Sequence, residues 1–172
     1  MPQHIVFRLF DSLPREILAR WTEELEYVPD GEERRAERMR RIEVALDTGS
    51  GSCFLRRPDV ARIVRSTLLK FDGQRYGLHA WCIMPNHVHA LVTPAPTITL
   101  SALLHTWKSF SAKQANRVLG RSGAFWMQEY FDRYIRDEDH FVSAVEYIHN
   151  NPVAAGLCAS PPDWPFSSAT RS

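Results

Sequence analysis

Met84-Pro85-Asn86-His87-Val88-His89-Ala90-Leu91-Val92 is the stretch of sequence that decides how this chain is organised. It places two imidazoles two residues apart at the start of an apolar run. Side chains of a strand alternate between its two faces, so His87 and His89 share one face, about 7 Å apart along the strand. Two such side chains can hold one cation if a third ligand reaches them from elsewhere in the chain.

The residues around this stretch predict a central β-hairpin. Residues 76–84 form its first strand, Pro85-Asn86 its tight turn and residues 87–93 the antiparallel return strand. Residues 4–10 predict an earlier strand. Four helices are expected to begin at Ser12, at Pro58, at Thr97 or Thr99, and at Asp137, the last ending at about Asn151 because Pro152 follows; residues 125–136 are expected to form a loop.

Length and composition favour one cytoplasmic domain. A chain of 172 residues with 44% hydrophobic residues can bury one sizeable core, so residues 1–172 are predicted to form a single domain, with a charged helical insertion at about 28–47. No apolar run is long enough to span a membrane, and the opening residues lack a secretory signal pattern. The three cysteines form no C-x-x-C pair and suggest no disulfide framework.

The distribution of charge points to the second half of the chain. The net charge is only +1, but residues 1–60 hold ten basic and twelve acidic side chains, whereas residues 100–136 hold six basic and two acidic ones. An anion-binding face is therefore expected in the second half.

The last predicted helix offers a third ligand. Phe141, Ala144 and Ile148 fall on its apolar stripe, and Tyr147 and Asn151 form an i, i+4 pair beside that stripe. A tyrosine at this flank can present its hydroxyl to a cleft, and an amide oxygen one turn later can complete a site of two nitrogens and one oxygen.

Several blocks of sequence, taken in order, resemble one family. Met-Pro-Asn-His-Val-His at 84–89 and Glu-Tyr-Ile-His-Asn-Asn-Pro-Val at 146–153 are similar to the motifs of the HUH-type single-tyrosine transposases, most closely the branch associated with repetitive extragenic palindromes (REP). The further matching blocks are residues 7–14, 107–110, 125–126, 130–137 and 163–168.

The resemblance implies a fold, a set of site residues and a reaction. The fold would be α+β and ferredoxin-like, a single domain whose central antiparallel sheet carries helices mainly on one face. His87, His89 and Asn151 would be ligands of a divalent ion, Mg²⁺ or Mn²⁺, and Tyr147 the nucleophile. The family cuts single-stranded DNA beside a hairpin, leaving a 5′-phosphotyrosine and a free 3′-hydroxyl, and can rejoin ends.

The same resemblance implies partners and a location. The partner would be single-stranded DNA with a REP-like hairpin, and the protein would be a monomer or a homodimer in the bacterial cytoplasm, associated with the nucleoid when bound to DNA. Basic side chains would contact phosphates and aromatic rings would stack on bases, although each ring fits the core equally well. The candidates are Lys108, Lys113, Arg117, Arg121, Trp126, Tyr130, Arg133 and Arg136, with Tyr134 as a further ring.

Four alternatives stay open at this point. Tyr130 and Tyr134 are rival nucleophiles, but neither has an amide at i+4. Metallohydrolases with an H-x-H-x-D-H motif begin similarly, but residues 90–92 here are Ala-Leu-Val and supply no acidic ligand. Relaxases and rolling-circle initiators share the H-x-H motif. A domesticated protein that binds DNA hairpins without cleaving them would also carry these residues.

Overall fold

The computed structural model describes residues 1–170 and contains four strands and five helices. Among these residues, no helix combines the length and apolar character needed to cross a membrane. The elements in chain order are β1 (Gln3–Leu9), α1 (Arg15–Leu25), α2 (Glu32–Leu46), α3 (Pro58–Leu69), β2 (Tyr76–Ile83), β3 (His87–Pro94), α4 (Leu100–Leu119), β4 (Trp126–Tyr134) and α5 (Glu138–Ala154), with short 3-10 segments at Phe54–Arg56 and Pro161–Asp163.

The four strands form one antiparallel sheet in the order β2-β3-β1-β4. Strand β1 pairs with β3 on one side and with β4 on the other, and β2 pairs with β3. Two crossovers therefore connect parallel strands, β1 to β2 through α3 and β3 to β4 through α4. This is the topology of a ferredoxin-like fold, and the predicted α+β class with a central antiparallel sheet is confirmed.

One face of the sheet carries the main hydrophobic core. Its side chains come from alternate residues of the two central strands, and helices α3 and α4 cover them. Tyr76 and Trp107 close this core with their polar atoms satisfied, because the indole Nε1–H donates to the Tyr76 hydroxyl at 3.2 Å and that hydroxyl donates to the Leu68 carbonyl at 2.6 Å. The core residues contributed by the central strands are Ile5, Phe7, Leu9, Val88, Ala90 and Val92.

The opposite face is covered as well, and this corrects the prediction that helices lie mainly on one face. The two crossover helices share one face, and other helices cover the opposite one. Helix α5 packs on Leu91 of β3 and on Ala80 and Cys82 of β2, and α2 packs on Val6 of β1. Two smaller apolar clusters form there. Helices are needed on this face because the residues of the central strands that point to it are also buried, and additional helices exclude water from them.

Residues 125–136, predicted as a loop, mostly form the edge strand β4. The prediction was wrong because this strand lacks a clean alternation of apolar and polar residues. Its pairing with β1 shifts between Phe7 and Leu9, so a bulge interrupts the alternation.

Helix ends follow the sequence signals in some places only. Thr99 caps α4 by accepting from the Ala102 N–H, and Asp137 caps α5 by accepting from the His140 N–H, as predicted. Ser12 does not cap α1, because its hydroxyl donates to the Leu9 carbonyl at 2.8 Å. Helix α5 also continues beyond Asn151, with Pro152 inside its last turn, and ends at Ala154.

Candidate active site

His87 and His89 lie on one face of β3 and are completely buried. Their Nε2 atoms are 3.1 Å apart. The Asn86 amide orients the first ring: its Nδ2 donates to the carbonyls of Leu46 and Ser50 at 3.1 and 3.2 Å, which leaves its Oδ1 to accept from His87 Nδ1 at 2.8 Å. The His87 Nδ1 therefore carries the proton, and its Nε2 presents a lone pair toward His89.

A third imidazole, His4 of β1, belongs to the same group and was not identified from the sequence. Its Nε2 lies 3.1 Å from His89 Nδ1, and the two rings stack with centroids 5.3 Å apart. The alternation of side chains along β1 could have identified it, because His4 falls on the face opposite to that of the apolar Ile5 and Phe7. Only the pairing of β1 with β3 places it beside His89.

Burial keeps the three imidazoles neutral at physiological pH. Desolvation lowers the pKa of His87 to about 3 and that of His4 to about 4, and Arg133 and His140 lower the latter further through their charge. The pKa of His89 is also well below its usual value, because of burial and the neighbouring His87 and His4. Neutral imidazoles have free lone pairs and can bind a metal ion.

Tyr147 of α5 stands over this group. Its ring meets those of His89 and His4 edge to face, with centroids 5.7 and 5.9 Å apart. The side chain is 42% exposed, so one edge touches the histidines while the other reaches solvent. Tyr147 also lines a cleft of about 290 Å³, whose other walls are Asp47, Ser143, Glu146, Asn150, Asn151 and Ala154.

Asn151 lies one helical turn after Tyr147, lines the same cleft and is buried. Its Oδ1 has no hydrogen-bond partner, which is costly for a buried carbonyl oxygen unless a ligand completes it. Within residues 1–170 no cluster of three or more His, Cys, Asp or Glu side chains is arranged to hold a metal ion, so a site that includes the histidines needs an amide or other donor.

The spacing of the two histidine rings is compatible with their binding one divalent ion. Adjacent ligands of an octahedral ion with bonds of 2.0–2.1 Å are about 3 Å apart, which matches the 3.1 Å between the Nε2 atoms of His87 and His89. The hydrogen bond from His87 Nδ1 to Asn86 is the outer contact that metal-binding histidines usually make. His87, His89 and the unpartnered Asn151 oxygen are the residues that could hold such an ion.

Two carboxyl groups complete the surroundings of Tyr147, that of Glu43 in α2 and that of Asp47 directly after it, and neither residue was assigned a role from the sequence. The Glu43 carboxyl is a neighbour of the Tyr147 hydroxyl, and each group shifts the pKa of the other. Burial raises the pKa of Glu43 to about 7 and that of Asp47 to about 6. Burial and the charges of these two carboxylates in turn raise the pKa of Tyr147 above its usual value.

The rival tyrosines lie elsewhere. Tyr130 pairs with Phe7 and Tyr134 with Gln3, and residues directly opposite each other in a sheet share a face, so both tyrosines belong to the face away from His87 and His89. His149 follows Tyr147 closely in sequence but contacts Ser168 instead, with Nε2 2.8 Å from the serine Oγ.

The residues predicted to contact DNA do not form one surface. Lys108 and Tyr130 line a second cleft of about 380 Å³ between α4 and β4. Trp126 also borders that cleft, but it belongs to the core, which was the alternative prediction for each aromatic candidate. Its ring packs on Phe7, and its Nε1–H donates to Ser111 Oγ at 2.9 Å. Its stacking surface is therefore largely covered.

The remaining basic candidates are spread over the molecule. Lys113 and Arg117 are exposed on α4. Arg121 is engaged within the fold, where its guanidinium lies over the rings of Phe10 and Phe54. Arg133 and Tyr134 are exposed on β4, and Arg136 pairs with Glu32 of α2 at 3.2 Å. Arg133 is the basic candidate whose charge acts on His4.

Comparison with known proteins gives one family. A family model described as "Transposase IS200 like" matches residues 57–151, which include β2, β3, α4 and most of α5. The chain is 28% identical over 112 residues to the REP-associated tyrosine transposase of Escherichia coli (strain K12), a match that covers 64% of this chain and 65% of that protein.

Two further proteins are similar. A putative REP-associated tyrosine transposase of Haemophilus influenzae is 28% identical over 102 residues, which cover 54% of this chain and 58% of that protein. The match thus spans somewhat less than two thirds of either relative. A solved structure of a REP-associated tyrosine transposase bound to a REP hairpin covers 97% of this chain and 75% of its own, with 18% identity and a TM-score of 0.58, and has the same fold.

Proposed function

This chain belongs to the IS200-like transposase family, and we propose that it is a DNA nicking and joining enzyme that cuts single-stranded DNA beside a hairpin through a 5′-phosphotyrosine intermediate. The observation that carries the proposal is the position of Tyr147, whose ring lies against His89 and His4 at the mouth of a cleft. A partly exposed tyrosine held at fixed distance from a buried group of imidazoles has the placement of a nucleophile.

The chemistry assigned to Tyr147 is an in-line displacement at phosphorus. The hydroxyl oxygen forms a bond to the phosphorus atom, the bond from phosphorus to the 3′-oxygen breaks, and the leaving oxygen keeps the electron pair and ends as a 3′-hydroxyl. The tyrosyl phosphodiester retains the energy of the broken bond, so a 3′-hydroxyl can later reverse the step without ATP.

His87, His89 and Asn151 would hold the divalent ion that this chemistry requires. A bound Mg²⁺ or Mn²⁺ supplies positive charge that polarises a phosphoryl oxygen, an effect of several kcal/mol. Two neutral imidazoles and an amide leave that charge undiminished. The chain contributes rigidity: β3 fixes both rings, the Asn86 amide sets the tautomer of His87, and α5 carries Asn151 and Tyr147 on one side.

Single-stranded DNA with a hairpin, such as a REP-like palindrome, is the substrate that we assign. The relatives' names and the hairpin in the similar structure support this choice. Lys108 and Tyr130 offer a cation and a ring beside one cleft, and base stacking on such a ring contributes on the order of 1–3 kcal/mol.

The test is covalent capture of DNA. Single-stranded hairpins labelled at the 3′ end are incubated with protein and Mn²⁺ or Mg²⁺, because the fragment that bears the 5′-phosphate stays attached to the tyrosine. We expect a labelled protein–DNA adduct from the wild type and none from Tyr147→Phe or after chelation. Tyr130→Phe and Tyr134→Phe are the matched controls and should retain the adduct.

Two results would contradict this proposal. An adduct that survives in Tyr147→Phe but disappears in Tyr134→Phe would move the nucleophile to β4. Specific hairpin binding without any adduct would identify the chain as a cleavage-inactive hairpin-binding protein.

A further inference from the structure

Helix α2 is fastened to the sheet directly beside the proposed active site. Its last turn is tied to the turn before His87, because Asn86 Nδ2 donates to the Leu46 carbonyl. Its middle is tied to β4, where the Glu129 carboxylate receives guanidinium groups from Arg38 and from the buried Arg8. The helix therefore holds a fixed position relative to the histidines.

The end of α2 near Tyr147 presents two carboxyl groups, that of Glu43 in the helix and that of Asp47 directly after it. Glu43 and Asp47 are separated by one helical turn, Glu43 lies beside the Tyr147 hydroxyl, and Asp47 lines the cleft that Tyr147 and Asn151 share. One oxygen of each carboxyl is buried without a hydrogen-bond partner. Such oxygens retain the capacity to accept a proton that arrives from a neighbour.

We propose that Glu43 is the group that accepts the proton of Tyr147 when Tyr147 attacks DNA, an inference that rests on the proposed function. As the tyrosine oxygen bonds to phosphorus, its proton passes to the Glu43 carboxylate, which becomes a neutral carboxylic acid. The 3′-oxygen leaves with the bonding electron pair and takes a proton from solvent. In the reverse reaction the Glu43 carboxylic acid returns the proton to the departing tyrosine.

The groups that face Glu43 make it suitable for this role. They are Tyr147 from α5, Asp47 from its own helix and Arg133 from β4. Burial and the charge of Asp47 raise the pKa of Glu43, while Tyr147 and Arg133 lower it, and the resulting value of about 7 suits a base that works near neutral pH. A carboxylate with an ordinary pKa would accept the proton far less readily.

The other nearby acceptors are less suitable. The nitrogens of His4 and His89 that face each other are 3.1 Å apart and already paired, and the remaining nitrogen of His89 faces His87. Asp47 lines the cleft and raises the pKa of Tyr147 through its charge, but Glu43 raises that pKa more, as expected of the carboxyl nearer to the hydroxyl.

The experiment compares Glu43→Gln with Glu33→Gln, which makes the same chemical change at an exposed position of the same helix. The first readout is the rate of adduct formation between pH 5.5 and 9. We expect the wild-type rate to rise with pH through about 7 and then level off. In Glu43→Gln the rate should fall by roughly 100-fold near neutral pH, and the rise through pH 7 should vanish. Glu33→Gln should match the wild type.

The second readout needs neither metal nor DNA. Ionisation of Tyr147 is followed in metal-free protein by NMR with ring-labelled tyrosine, assigned by comparison with Tyr147→Phe. Because the Glu43 carboxylate contributes to the raised pKa of Tyr147, Glu43→Gln should lower that pKa. If Glu43 acted only by repelling the ionised tyrosine, it would slow the wild type, and Glu43→Gln would react faster. An easier ionisation of Tyr147 together with a slower reaction in Glu43→Gln therefore identifies Glu43 as a proton acceptor.

Three outcomes are decisive. A faster reaction in Glu43→Gln, or an unchanged pKa of Tyr147 in that variant, overturns the assignment of Glu43. Glu43→Asp guards against misfolding, because it keeps the carboxylate and should react faster than Glu43→Gln. An adduct that persists in Tyr147→Phe defeats the proposed function itself, and so the two failures are distinguishable.

Discussion

The two faces of the sheet are built on the same strands but have opposite character. Beneath α3 and α4, the side chains of β1 and β3 are apolar except for Gln3 at the start of β1, and they join one continuous core. Beneath α2 and α5, two small apolar clusters are separated by His4, His89 and Tyr147. Alternation along each strand allows this division, because neighbouring residues such as Val88 and His89 face different layers.

The difference between the two faces shows how a small domain excludes water from a polar site. Burying three imidazoles is unfavourable unless their nitrogens are paired, and here they pair with one another and with Asn86. The apolar face supplies most of the burial, while the clusters on either side of the site exclude water from it. We therefore expect mutations on the two faces to affect stability and activity differently.

The largest effect on stability is expected at Leu104, which is almost fully buried beneath α4. Leu104→Ala removes apolar contacts and leaves a cavity, and it should lower the free energy of unfolding by about 2–5 kcal/mol. Urea unfolding measures this loss. Adduct formation per folded molecule, measured with saturating DNA, should stay close to that of the wild type, because Leu104 is not part of the histidine group.

The counterpart on the other face is His89→Gln, which keeps a polar side chain of similar length. It should abolish adduct formation while reducing stability by less than half as much as Leu104→Ala. Equal stability losses in the two variants would show that the faces are not specialised as described.

The next largest effect is expected for Asn86→Ala, which removes the group that orients His87. Loss of such an outer hydrogen bond typically weakens metal binding by about 10–100-fold. Titration of the protein with Mn²⁺, followed by electron paramagnetic resonance, measures this change. Asn116→Ala is the matched control, since Asn116 also donates to a backbone carbonyl but lies at the end of α4. An unchanged Mn²⁺ affinity in Asn86→Ala would contradict a role of the histidines in metal binding.

The smallest predicted effect is a pH dependence of stability that arises from the buried titratable groups on the face covered by α2 and α5. The pKa values of His4 and His87 are lower in the folded state, so their contribution is present above about pH 6.5 and is lost as the pH falls toward 4 and 3. The pKa of Glu43 is raised, so its contribution is present at acidic pH and is lost as the pH rises through about 7.

The two contributions have opposite signs, and a variant separates them. Relative to the wild type, Glu43→Gln should be more stable at pH 8 than at pH 5, by roughly 1–2 kcal/mol because the carboxyl is only partly buried. Urea unfolding of both proteins at four pH values between 5 and 8 tests this. A constant difference between them would mean that Glu43 titrates normally.

Much of the fold follows from local patterns in the sequence. The alternation before and after Pro85-Asn86 predicted the hairpin, Asp137 was predicted as a cap, and Thr99 was one of the two caps predicted for α4. The edge strand β4 was missed because a bulge and solvent-facing polar residues hide its period. The helices on the second face were misplaced because amphipathicity shows that a helix has a buried side, but not against which layer it packs.

The candidate site divides in the same way. The spacing of His87 and His89 and the i, i+4 pair of Tyr147 and Asn151 are visible in the sequence, because one strand or one helix holds each pair. The association of His4 with His89 depends on the register of β1 against β3, and the contact of Glu43 with Tyr147 depends on the docking of α2. Neither can be derived from spacing along the chain.

The sequence by itself determined the family, the hairpin, the pair of histidines and the tyrosine beside an amide, since these depend on residues a few positions apart. Only the tertiary structure decided which face of the sheet holds the candidate site. It placed Tyr130 and Tyr134 on the other face and brought the carboxyl groups of Glu43 and Asp47 to Tyr147. The physical reason is that these relations arise from the packing of distant segments, which is set by the burial of apolar surface across the whole chain and not by any local period.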